Sequence, residues 1–401
     1  MTNLLRIYLV IFMTTAAEGI VHVIFPPYLN ARAFLVSQIG LLSGLFPVLQ
    51  LAARLPSGTL YTHRRARAVL TAGLALLGLS SIGFAVFVGF VPLVIMIMLH
   101  GFAFGAVTTV ALALCIDLKP GNYSSGAMMG WYTAAIAAGY SVGQPIGGYL
   151  ADTFGFGAGF SGTAAFSLLG ISAVLTLPTP GGRVTYRQAL EAEHQRHRWS
   201  FRVDPRRLPA SVLLATLIVF FVNLIFRSLH TFFPLYALTM GISLTQYGLL
   251  RSLLSLAAAV VRPFSGRLFE VLHYRRVTHI AMVVAAGAVI LSSIMVRSMA
   301  ALVVLYVLMG LSRGLNRVTS ATMIAESSDE SDSGSIGVWS GIYNAGLDLG
   351  SITGPAVGGY LAAVLGIPRM LILLPTIALG VYILVSLTAR RRRQQTLAAI
   401  E

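Results

Sequence analysis

Twelve apolar runs follow one another along the 401-residue chain, each of roughly 20 residues or more, the length a bilayer requires. They cover 5–28, 37–60, 67–89, 91–115, 124–150, 158–178, 209–238, 244–266, 277–297, 299–325, 335–362 and 368–389. Backbone in lipid must satisfy its own N–H and C=O groups, so runs of this length predict helices and an all-α membrane fold. The composition agrees: 56% of residues are hydrophobic and 10% are charged, which excludes disorder and argues against a soluble domain. A net charge of +15 would suit a nucleic-acid ligand, but most arginines sit in short gaps between apolar runs, so no nucleic-acid partner is expected. Cys115 is the single cysteine, which rules out an intrachain disulfide and a cysteine-built metal site. The first run is too long for a cleaved leader and lacks a small-residue cleavage site, so it reads as a retained helix.

The placement of basic residues predicts orientation. With the N-terminus inside, the inner side holds Arg6, Arg64, Arg65, Arg67, Lys119, seven arginines between Pro180 and Arg207, Arg267, Arg275, Arg276 and Arg390 to Arg393. The outer side holds Arg32, Arg297 and Arg369, a ratio of 19 to 3. Both termini are therefore expected in the cytoplasm, of a bacterial inner membrane. The segment Pro180 to Arg207 mixes arginines with Glu191, Glu193 and Asp204. It reads as an inter-domain linker, either an amphipathic surface helix or a merely solvated strand of charge. The expected divisions are a six-helix bundle over 1–178, a basic linker over 179–208, a second bundle over 209–389 and a tail over 390–401.

The two halves repeat. A shift of 208 carries His22, Phe25, Pro26 and Tyr28 onto His230, Phe233, Pro234 and Tyr236. The same shift carries Gln38 and Gly40 onto Gln246 and Gly248, and Arg54, Ser57 and Gly58 onto Arg262, Ser265 and Gly266. A shift of 211 carries Gly139, Gly143, Gly147 and Gly148 onto Gly350, Gly354, Gly358 and Gly359. Parallel duplication of six helices places a substrate site near the midplane, between the halves.

With these features the chain resembles the major facilitator superfamily over essentially its whole length, and in particular its drug/proton antiporters. The family's loop motif after helices 2 and 8 appears in the second half as Gly266, Leu268, Glu270, Arg275 and Arg276. In the first half Gly58 and Leu60 are kept, Thr62 replaces the acidic residue, and Arg64, Arg65 and Arg67 keep the charge. A second motif resembles the glycine-proline antiporter motif of family exporters. It stands in full as Gly350, Gly354, Pro355, Gly358 and Gly359, and on the fifth run as Gly139, Gly143, Pro145, Gly147 and Gly148, with proline one place late. Physically, glycines spaced by four let helices approach closely, and proline loosens the helix; such glycines serve packing with or without a directional meaning. The resemblance implies that helices 1, 4, 7 and 10 line a central cavity and that 2, 5, 8 and 11 join the halves.

Charges inside the runs mark candidate function, because a carboxylate at mid-bilayer costs roughly 2.5–3.5 kcal/mol on insertion scales. Glu18 is the sharpest case, and Thr14, Glu18 and His22 share one helix face by their spacing. Glu18 and Asp348 are the candidates for proton coupling. His22, Asn223, Arg227, His230, Arg251, Arg313, Asn316 and Arg317 are the candidates for substrate contact, a set that is basic in the second half and so favours an anionic or zwitterionic ligand. Against this, Arg251 and Asp348 are equally read as a simple pair, His100 as structural, and Arg54 and Arg262 as snorkelling residues that brace the loop motif. Phe12, Phe25, Tyr28, Phe104, Phe226, Phe232 and Tyr236 read as packing or lipid-facing surface; any that line the cavity would make the ligand amphipathic.

No Ser/His/Asp arrangement, cysteine nucleophile, metal-ligand spacing or phosphate-cradling GxxxxGK loop is present in the sequence. No enzyme activity, metal or cofactor is expected, and transport must draw on a gradient. The reading is a monomeric secondary transporter, a proton-coupled exporter of a small amphipathic anion or zwitterion, in contact with membrane lipids. The rivals are a transporter of a lipid or lipid-linked phosphate headgroup, an importer of an organic anion, and a non-transporting receptor or chaperone using the acidic stretch Glu326 to Asp332.

Overall fold

The computed structural model describes residues 2–59, 61–118, 124–177, 210–329 and 336–398. They form twelve α-helices. The first half comprises α1 (Thr2–Ala31), α2 (Val36–Thr59), α3 (His63–Val86), α4 (Phe90–Asp117), α5 (Ser125–Phe154) and α6 (Phe156–Leu175). The second comprises α7 (Ala210–Thr239), α8 (Leu244–Val271), α9 (Tyr274–Ile294), α10 (Met299–Asp329), α11 (Ile336–Leu365) and α12 (Ile367–Ala398). Each expected run is one helix. Ten of the helices are long and apolar enough to cross a membrane by themselves. The other two, α5 and α11, are the glycine-rich pair whose small and hydroxyl residues dilute their hydropathy. Two expectations at the ends change: α10 continues past residue 325 into the acidic stretch as far as Asp329, and α12 carries Arg390 to Arg393 as helix to Ala398. Hydropathy falls at both places, but a helix needs no lipid to continue. Lys119, the linker from Pro180 to Arg207 and the end of the acidic stretch lie outside the described residues.

The duplication is visible in local geometry. Tyr28 donates to the Phe84 carbonyl at 2.5 Å, and Tyr236 to the Ser293 carbonyl at 3.3 Å. Gln38 accepts from the Leu35 N–H and Gln246 from the Ser243 N–H, so α2 and α8 start with the same cap. The turn before each takes a left-handed residue at the equivalent place, Ala33 (φ 59°) and Gly241 (φ 83°). An alanine there carries strain that a glycine does not. In the first-half loop motif, Thr62 caps α3 by accepting the Arg65 N–H, while Arg64 and Arg65 are exposed. Arg6 and Arg67 donate to the Thr176 and Leu175 carbonyls at the end of α6. Between α2 and α3, burial first and then the neighbouring Asp117 push the Tyr61 hydroxyl well above its usual range, so it stays a donor to that carboxylate.

The glycine motifs show what joins the halves. A Cβ at Gly139, Gly143 or Gly147 on α5 would strike Phe12, Ala16 and Ile20 of α1. At Gly350, Gly354 and Gly358 on α11 it would strike Phe220, Leu224 and Ser228 of α7, the same positions one repeat later. The next glycine of each motif faces the other half: Gly148 lies against Leu244 of α8, and Gly359 against Gly40 and Val36 of α2. Gly40 meets Pro355, and Gly248 meets Gln144 and Pro145, again as equivalents. All these inter-half contacts lie towards the face opposite the chain termini, here the far face. Near the terminal face, Gly130 of α5 and Gly341 of α11 have open space around them. The glycine contacts between the halves are therefore gathered on the far face.

These two kinds of glycine predict different defects. Gly143→Val should overpack α1 against α5 and destabilise the fold by about 1–3 kcal/mol. Gly148→Val should leave the first half folded and block far-face closure instead. Thermal unfolding together with labelling of a single far-face cysteine separates them, and identical behaviour of the two variants would contradict this division.

Candidate functional site

A cavity lies between the halves, with a volume of about 60 Å³, room for a few waters. Its walls come from both sides. The first half supplies Glu18 and His22 on α1, Ser43 and Phe46 on α2, Phe84 on α3 and His100 on α4. The second supplies Arg227 and His230 on α7, Arg251 on α8 and Pro355 on α11. Glu18 and Arg227, the two residues expected to face one pathway, thus share one chamber.

Glu18 is fully buried and is held by two histidines. Its Oε2 is hydrogen-bonded to His100 Nε2 at 3.0 Å. Its Oε1 lies 3.0 Å from His22 Nε2, but without the alignment of a hydrogen bond, so both atoms keep unused capacity. His22 is fixed from outside by the parallel ring of Tyr140, 5.8 Å between centroids, and by the edge of Phe46. His100 is backed by Ser80, whose Oγ lies 2.9 Å from His100 Nδ1. The Ser80 hydroxyl is directed to the Leu77 carbonyl, which leaves its oxygen to accept from Nδ1–H. In that arrangement one hydrogen bond joins the Glu18 carboxyl to the His100 ring.

The basic wall is built differently. Arg251 is buried, and its Nη1 donates to the His22 carbonyl across the interface at 3.0 Å. Its Nη2 lies 3.4 Å from His230 Nδ1. Arg227 Nε is buried without a partner, as is His230 Nε2. Guanidinium groups without a facing carboxylate in such a space are costly unless an anion or water completes them.

Several expected site residues lie elsewhere. The Arg251–Asp348 pair does not form; Asp348 instead takes Arg54 of α2 at 3.3 Å, an ion pair between the halves on the terminal side of the cavity. Arg54 therefore ties the halves together rather than bracing its own loop. The α10 cluster does not line this chamber. Arg313 stands over the Phe226 ring at 5.5 Å and Arg317 over the Tyr343 ring at 5.8 Å. Asn316 is buried with both amide atoms unpartnered, and Asn223 donates back to the Val219 carbonyl of its own helix. Thr14 likewise bonds within α1, to the Val10 carbonyl. Arg275 reaches Tyr274, Gly58 lies against Thr109, and the side-chain surroundings of Gly266 and Glu270 lie outside the described residues. Four of these wall residues were not expected: His100, Ser43, Phe46 and Phe84. His100 carried the same signal as Glu18, an ionisable group inside a membrane run. Ser43 becomes visible through the duplication, since the shift of 208 carries it onto Arg251.

Two duplicated six-helix bundles around a shared polar chamber define a membrane transporter. The sequence model of the Major Facilitator Superfamily matches residues 7–339 and 216–400, so the chain belongs to that family. It is an integral membrane transporter, not an enzyme. Among its relatives is an uncharacterised MFS-type transporter, MJ1560 of Methanocaldococcus jannaschii, 22% identical over 371 residues, covering 92% of this chain and 93% of the relative. The quinolone resistance protein NorA of Staphylococcus aureus is 28% identical over 146 residues, 36% of this chain and 37% of NorA. Among solved structures, the nucleoside transporter NupG superposes with a TM-score of 0.71 at 13% identity, over 96% of this chain and 98% of that one. A bacterial homologue of the human lysosomal transporter Spinster, inward-facing and unoccupied, superposes with a TM-score of 0.71 at 16% identity, over 96% and 97%. At these identities the likeness is one of fold.

If His100 is what satisfies the buried Glu18, the two residues must be energetically coupled. His100→Leu should cost about 1–3 kcal/mol in the native background and far less in a Glu18→Gln background. A double-mutant cycle by denaturant unfolding measures the difference, and independent effects of the two substitutions would refute the pairing.

Proposed function

We propose that this transporter is a proton-coupled exporter of a small amphipathic anion or zwitterion, working by alternating access. The observation that carries the reading is the meeting of Glu18, clamped by His22 and His100, with Arg227 and Arg251 in one chamber between the halves. An acid with a mobile proton and an uncompensated basic wall, exposed in turn to the two sides, are the parts that exchange of a proton for an anion needs. Phe25, Phe46 and Phe84 supply the apolar walls for an amphipathic body. The partial likeness to NorA, a protein named for quinolone resistance, favours export over import.

In this mechanism the terminal face is cytoplasmic, as the arginine distribution suggests. Cargo entering from that side meets the arginines. Its charge alters the field at Glu18, and the Glu18–His100 pair gains or releases its proton as the halves rock. The Arg54–Asp348 pair would assist closure on the terminal side, a role separate from the proton step that the sequence suggests for Asp348. The protein would act as a monomer in a bacterial inner membrane, with both termini in the cytoplasm.

Reconstituted Glu18→Gln should fold and retain substrate counterflow, because exchange moves no net protons, but lose accumulation driven by a pH gradient. In proteoliposomes, internal pyranine reads the proton movement driven by a panel of aromatic and aliphatic acids, and exchange of a radiolabelled acid reads counterflow. Full proton-driven transport by Glu18→Gln would end the proposal.

A further inference from the structure

The tautomer of His230 can be read from its neighbour. Arginine has donors and no acceptor, so the contact between Arg251 Nη2 and His230 Nδ1 at 3.4 Å makes Nδ1 the accepting nitrogen. His230 is neutral beside that guanidinium, and its proton sits on Nε2. His230 lines the chamber, its Nε2 is buried and has no partner, and the residue is 7% exposed. Arg227 lies three residues earlier on α7, and its Nε, also an obligate donor, is likewise buried and unpartnered. Ser43 Oγ, from α2 of the other half, is a third unpartnered group on the same chamber. Buried donors without acceptors are rare in folded proteins, and here two that can only donate belong to residues that line one small space.

The duplication sharpens the point. In the first half the positions of Arg227, Arg251 and Phe226 are held by Gly19, Ser43 and Glu18, each 208 residues earlier. One frame therefore carries an acceptor on its first copy and donors on its second. The first-half acid is already engaged by His100, so it does not complete the donors of the second half.

We infer that Arg227 Nε–H and His230 Nε2–H, with Ser43 Oγ, form an oxyanion subsite for a carboxylate or phosphate group of the cargo. In it Arg251 acts as a positioning residue that holds His230 in its donating tautomer. The inference rests on the transporter reading above and deepens it by locating the anionic end of the ligand on α7. The apolar remainder then extends along Phe25, Phe46 and Phe84.

The test uses three probes that share one ring: benzoate, phenyl phosphate and neutral benzamide, titrated against the purified full-length protein by thermal shift and calorimetry. At least one anion should stabilise the protein while benzamide does not, and the stronger of the two tells a carboxylate site from a phosphate site. His230→Leu and Arg227→Leu should each weaken that anion by about 10-fold or more. His230→Gln, whose amide can still donate, should keep most of the affinity. Removing Arg251 supplies the readout that a merely structural role would not move. Arg251→Leu should weaken the anion more in the native background than in a His230→Gln background, since an amide needs no tautomer fixed. Equal stabilisation by benzamide and by the anions would remove the subsite and leave an aromatic-binding transporter standing. Anion binding that survives His230→Leu undiminished would also overturn it. Silence from all three probes would remove the amphipathic-anion reading together with the subsite.

Discussion

A carboxylate at the centre of an apolar bundle must be given partners, and much of this structure follows from how Glu18 is given them. Its helix α1 is packed between α5 and the cavity, so Glu18 has no route to the lipid headgroups by snorkelling. The partners have to come from protein. His22 is supplied by the next turn of α1, and His100 by α4, itself anchored through Ser80 on α3. Three helices of the first half thus converge on one acid. The polar contacts they leave incomplete keep a wet space open where close packing would otherwise fill the midplane.

The second constraint is the close approach of backbones at glycine. Within each half the motif glycines bring α5 onto α1 and α11 onto α7, and the last glycine of each brings in a helix of the other half. Association in a membrane gains little from apolar burial, since lipid is as apolar as leucine, so van der Waals contact between backbones does much of the joining. Glycine at every fourth residue presents a flat stripe for that contact. A stripe is also a surface along which two halves can separate and meet again without unpicking side chains.

On this symmetric frame the chemistry is asymmetric. Asp348 has Ala137 at its counterpart position, and Asp152, which accepts the Leu244 and Thr245 N–H groups at the start of α8, has Ala363. The two inter-half ties made by aspartates therefore alternate: Asp152 on the far face between α5 and α8, Asp348 on the terminal side between α2 and α11. Duplication supplied two equal walls, and substitution made one acidic and the other basic.

The number of helices, their order, the duplication and the presence of Glu18 as an acid inside the first run were legible along the chain. Each depends on local pattern: run length against bilayer thickness, spacing of repeats, and the cost of an isolated charge in lipid. The glycine motif was legible as a packing device, but which half each glycine would touch was not. Neither was the partner of any buried charge. Arg251 and Asp348 lie on adjacent helix types, and pairing them was reasonable from sequence, yet Asp348 meets Arg54 and Arg251 meets a carbonyl and a histidine. His100 looked structural because nothing near it in sequence is polar, whereas its partner is 82 residues away. The α10 arginines shared a face by periodicity, but helix rotation and depth turned them to the rings of Phe226 and Tyr343. Periodicity determines which residues of one helix share a face. Which faces meet, and so which charges neutralise one another, is decided only when twelve helices settle their rotations and depths together, because that choice depends on contacts far apart in the chain.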